Sequence, residues 1–89
     1  MDNEQHLLKI FGQRIKSLRN KKGLSQEKLS FEIGFHRTYI GMVERGERNL
    51  SLSNIVVFAN FFELSLSDLF DFPEINSFKN YPLKKKDNV

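Results

Sequence analysis

The side chains with the most chemistry to offer lie between residues 36 and 49, in the stretch HRTYIGMVERGERN. Arg37 carries a forked donor that can bond O6 and N7 of a guanine together, and the methyl of Thr38 can pack on a thymine methyl. Tyr39 adds a ring hydroxyl suited either to a phosphate or to covering a helix junction, and Met42 adds a soft apolar tip. Arg37, Thr38, Tyr39 and Met42 are therefore the expected readers of base edges. His36, Arg48 and Asn49, on either side, suit the phosphate backbone. Catalytic chemistry has much less to work with. The two histidines, His6 and His36, fall in unrelated elements. No carboxylate pair shares a pocket, no metal-ligand spacing appears, and no phosphate-cradling glycine loop or dinucleotide fingerprint is present. The expectation is a non-enzyme with no cofactor and no metal.

Something must hold those side chains on one face, and the stretch from Leu24 to Gly46 reads as two short helices joined by a tight turn. Leu29 and Ile33 recur at helical spacing, Gly34 interrupts, and Ile40 and Val43 resume the period. Ser25 is a start signal whose hydroxyl can accept from the free amides of the opening turn, with Gln26 and Glu27 just behind it. Gly34 supplies a position with little steric objection to positive φ, Phe35 plugs the junction, and His36 caps the second helix. This is a helix-turn-helix pattern. The second helix of such a motif enters the major groove and presents its first turn to the bases. Ser25 and Gln26, at the positive end of the first helix, then suit phosphates. Gly41 leaves a hole on the reading face that would allow close approach to DNA.

Gln26, Leu29, the small Ser30, Gly34, Ile40, Val43, Glu44 and Gly46 resemble the phage-repressor class of helix-turn-helix domains, over roughly residues 7 to 70. HRTYIGMVERGERNL is most similar to the controller proteins of restriction-modification systems. The resemblance implies an all-α, compact five-helix repressor-like domain whose helices 2 and 3 form the motif. It also implies a homodimer on a palindromic double-stranded DNA operator, with RNA polymerase as a further partner. Arg19 and Glu44 would form a structural ion pair, and Arg48 gains a second possible destination, a groove. An antitoxin-type module, whose tail wraps a partner protein, is the competing expectation.

Length and charge agree with a small intracellular regulator. At 89 residues there is one domain, near the size at which dimerisation often supplements the core. The net charge of +3 is unevenly spread: residues 1–50 hold ten Lys/Arg against six Asp/Glu, residues 51–72 none against three, and residues 73–89 four against two. An anionic partner is thus expected at the front half. The chain has no cysteine, no apolar run of membrane-spanning length and an acidic, polar start, so a cytoplasmic, membrane-free setting is expected.

Around the motif, residues 5 to about 21 form a first helix with the stripe Leu7, Leu8, Phe11, Ile15 and Leu18, and Lys9, Arg14, Lys16 and Lys21 on its other face. Lys22 and Gly23 end it. After the loop to Leu50, Ser51 or Ser53 opens a helix with Ile55, Phe58, Ala59 and Phe62 facing the core. A last short helix has Ser67 in its cap region. Val56, Val57, Phe61, Leu66 and Phe70 are apolar in excess of that core and form the expected dimer interface. The domain is expected to span residues 1–72. Residues 73–89, with two prolines and the lysine run Lys84 to Lys86, read as an extended or disordered basic tail.

Overall fold

A computed structural model describes residues 3–78 and 81–83; the lysine run at 84–86 lies outside the described residues. The order is α1 (Asn3–Lys21), α2 (Gln26–Ile33), α3 (Arg37–Glu44), α4 (Leu52–Phe61), α5 (Leu66–Leu69) and a 3₁₀ helix (Pro73–Phe78). The described residues are thus all-helical. Each helix from α2 to α5 is started by a side-chain cap: Ser25, His36, Ser51 and Ser65 accept from the backbone amides of Lys28, Thr38, Asn54 and Asp68. Such a cap is worth roughly 1 kcal/mol, which matters for helices of four to ten residues.

The core is one cluster drawn from every α-helix: Phe11 and Ile15, Leu29, Ile40 and Val43, Phe58 and Ala59, and Leu69, with Phe62 at the end of α4. Phe35 fills the α2–α3 turn, with ring centroids 5.0 Å from Tyr39 and 5.1 Å from Phe58. Gly34 makes that turn at φ 90°, a conformation side-chain-bearing residues rarely adopt. The Ser30 hydroxyl locks it by donating to the Phe35 carbonyl at 2.6 Å. Packing of α1 on α3 is closest at Gly12, where a Cβ would collide with the carbonyl oxygens of Val43 and Glu44.

Four details differ from the sequence reading. α1 starts two residues earlier, at Asn3. The α5 cap is Ser65, and Ser67 sits 3.0 Å from its hydroxyl instead of capping. Arg14 leaves the solvated face on which the helical wheel places it. It donates from Nε to Leu69 O at 2.9 Å and from Nη2 to Asp68 O at 2.8 Å, bonding carbonyls at the C-terminal end of α5, and it lies over the Phe72 ring. Finally, the chain does not run extended from Pro73. Residues 73–78 coil against α1 as a 3₁₀ helix, and Phe78 meets His6 with ring centroids 5.3 Å apart. The aromatic rings of Phe72 and Phe78 supply an attachment that hydrophobic periodicity does not register.

Candidate nucleic-acid interface

α3 is fixed from behind by a buried charge pair. Arg19 donates from Nε to Glu44 Oε2 at 2.7 Å and from Nη2 to Glu44 Oε1 at 3.0 Å, with the two side chains 9% and 3% exposed. Its Nη1 donates to the Leu24 carbonyl at 2.7 Å, and Gln26 Nε2 donates to Glu44 Oε1 at 3.0 Å. One carboxylate therefore ties α1, the start of α2 and the end of α3 together. Buried charges are tolerated only when hydrogen-bonded in this way, and no buried side-chain polar atom among the described residues is left without a partner.

The opposite side of α3 is open. His36, Arg37 and Thr38 are exposed, and Arg37 has no hydrogen-bond or ion-pair partner among the described residues. His36 Nδ1 accepts from Thr38 N at 3.1 Å, so the imidazole is held at the helix start. Met42 is half-buried. Tyr39 is half-buried too; its hydroxyl accepts from Asn54 Nδ2 at 3.0 Å, which pins α3 to α4. Arg48 lies over the Tyr39 ring, 5.3 Å from its centroid, and Asn49 is exposed beside it. On the other flank stand Ser25, its hydroxyl occupied by the Lys28 amide, and Gln26, with one of two amide N–H groups taken by Glu44. The fold thus brings Gln26, His36, Arg37 and Thr38 to one shallow depression, with Gly41 and Arg45. Arg48 and Asn49 lie in the loop after α3.

Comparison with known proteins identifies the scaffold. The helix-turn-helix family matches residues 15–69. Control protein C.BamHI of Bacillus amyloliquefaciens is 45% identical over 69 residues, covering 76% of this chain and 85% of that protein. Control protein C.SmaI of Serratia marcescens is 45% identical over 60 residues, covering 67% and 71%. The crystal structure of the restriction-modification controller protein C.AhdI from Aeromonas hydrophila superposes with a TM-score of 0.66 at 51% identity, covering 71% of this chain and 96% of that one. This chain belongs to the helix-turn-helix family of restriction-modification control proteins. As a member it is a sequence-specific DNA-binding transcriptional regulator.

Three features of the controller surface escape the sequence reading. The hole above Gly41 is occupied by the guanidinium of Arg45, whose Nη1 lies 3.0 Å from where a Cβ would stand. Arg45 is itself gripped by Glu47, with Nε–Oε2 at 3.0 Å and Nη2–Oε1 at 3.1 Å. Asn54, the anchor of Tyr39, carries no distinguishing mark in a run of apolar neighbours. The i, i+2 spacing of Arg45 and Glu47 was the one available signal, and it becomes a contact only because α3 ends at Glu44 and the chain turns after it. On α4 and α5, Val57 and Leu66 are 37% and 41% exposed, and Leu52 is 71% exposed. Val56, Phe61 and Phe70 are half-buried; Phe70 stacks on Phe11 with centroids 5.4 Å apart, and Phe61 meets Phe62 edge-on.

Proposed function

We propose that this control protein acts as a homodimer on a palindromic operator and regulates restriction-modification genes. Arg37, Thr38, Tyr39 and Met42 read base edges, and Ser25, Gln26, His36, Arg48 and Asn49 hold the phosphate backbone. The observation that carries the reading is the contrast between the two sides of α3: a fully hydrogen-bonded charge pair behind, and in front an exposed Arg37 whose side chain has no partner among the described residues. An unpartnered guanidinium on a rigid helix start has its whole donor fork available to a base edge. Arg19 and Glu44 have a structural role, since neither can reach a ligand from its buried position.

Two copies joined through Val56, Val57, Phe61, Leu66 and Phe70, with Leu52 at the rim, would set two α3 helices about 34 Å apart, one turn of DNA. The exposed apolar side chains of α4 and α5 favour this face, because such a cluster is unfavourable in water unless covered. Relatives named as control proteins favour restriction-modification genes as the target over a toxin partner.

Selection of bound duplexes from a random pool tests the whole reading. Enrichment of a sequence with twofold symmetry, together with a dimer by sedimentation at micromolar concentration, is the expected outcome. No enriched sequence, or a monomer both with and without the enriched duplex, would remove it.

A further inference from the structure

Arg45 and Glu47 stand outside every role assigned above. Arg45 is the C-terminal cap of α3, seven residues after Thr38 and four after Gly41, so it shares their side of the helix. Glu47 grips Nε and one N–H of Nη2, the side edge of the guanidinium. The end fork, one N–H from each Nη, is left available. Because residue 41 has no side chain, the guanidinium settles on the surface of α3 above it, within the depression that also holds Gln26, His36, Arg37 and Thr38.

The geometry points to Arg45 as a further base-contacting residue, with Glu47 as its positioning residue; this rests on the reading of α3 as the recognition helix. Two physical arguments support it. A free surface arginine has many rotamers to lose on binding, and the two-point grip of Glu47 restricts them in advance. The pair is also close to electrically neutral, so Arg45 adds little to the general attraction for phosphates while keeping a directional fork that matches guanine O6 and N7. A phosphate-binding arginine would be hindered by a carboxylate at its side, which repels the backbone. Beside a base edge the carboxylate is compatible, since cytosine N4 is itself a donor.

The probe is the duplex enriched by the wild-type protein from the random pool, with a panel in which each base pair is replaced singly, titrated at several salt concentrations. Arg45→Ala is expected to lower base preference about tenfold at one position of each half-site, with a log-log salt slope within about half a unit of wild type. Glu47→Gln is expected to flatten the same position while making the slope steeper, because it frees a cation. The double variant should be no flatter there than Arg45→Ala alone. Uniform weakening by Arg45→Ala with the slope shallower by about one unit would make Arg45 a phosphate contact and overturn the inference. An unchanged base preference in Glu47→Gln would overturn the positioning role. A wild-type protein that enriches no sequence would instead sink the reading of α3, and this inference with it. Both side chains lie on the surface and neither belongs to the core, so the variants keep the fold, which melting curves verify.

Discussion

The guanidinium of Arg48 lies 5.3 Å above the centre of the Tyr39 ring, and the hydroxyl of that same ring accepts a hydrogen bond from Asn54 Nδ2. One tyrosine therefore fixes the angle between α3 and α4 and gives the loop arginine a platform. Tyr39→Phe removes the hydroxyl and keeps the platform. It should lower stability by about 1 kcal/mol in urea unfolding and leave the salt dependence of DNA binding unchanged. A change in salt slope would mean that the hydroxyl itself meets a phosphate.

Arg19 and Glu44 are both buried, so removing one strands the other. Arg19→Met should destabilise by about 3 to 5 kcal/mol, a large share of the stability of so small a domain. The double variant with Glu44→Leu should recover part of that loss, because no unpaired charge is then left inside. Equilibrium unfolding of the single and double variants checks this; a double variant worse than the sum of the singles would contradict it.

Arg14 closes the last turn of α5 through two carbonyls. Arg14→Ala should cost about 1 to 3 kcal/mol and speed amide exchange at Leu69 and Phe70, whose bonds to Ser65 and Leu66 hold that helix. Exchange rates equal to wild type at those amides would show that α5 needs no cap.

The hydrogen bonds from Arg45 hold the Glu47 carboxyl below the ordinary glutamate range, and the same contact raises Arg45 above its usual value. For a carboxylate lowered in the folded state, the stabilising contribution is present above the unfolded pKa. It is lost as pH falls through the lower, folded value. A carbon NMR titration should therefore find the Glu47 midpoint below that of an unperturbed glutamate, and Arg45→Ala should return it to the ordinary range. An identical midpoint in both proteins would show that the pair does not persist in solution.

The motif was legible because its signals are local. Ser25 precedes a helical period, Gly34 interrupts it, His36 precedes its resumption, and each of these is decided within a few residues of chain. The pairing of Arg19 with Glu44 spans 25 residues and has no local signature; only the likeness to repressors couples them. Arg14 was opaque for the same reason, since a helical wheel shows which face a residue is on but not that a distant helix ends above it. Gly12 looks like a tolerated helix glycine until α3 is laid across it. Residues 73–78 have no period to detect, and they fold against α1 through a few aromatic contacts. The reading face itself was visible as residue types, whereas the Arg45–Glu47 grip that fills the space over Gly41 depended on where α3 stops.

The central claim is that the first turn of α3 reads sequence while the loop after it positions the duplex. The measurement is a binding titration of Arg37→Ala and Arg48→Ala on the enriched duplex and a scrambled one at several salt concentrations. Arg37→Ala should lose about 1 to 3 kcal/mol on the enriched duplex and much less on the scrambled one, flattening preference at one base pair per half-site. Arg48→Ala should weaken both duplexes by similar factors and make the salt dependence shallower by about one unit of log-log slope. Equal weakening of both duplexes by Arg37→Ala, or loss of base preference through Arg48→Ala alone, would contradict the account.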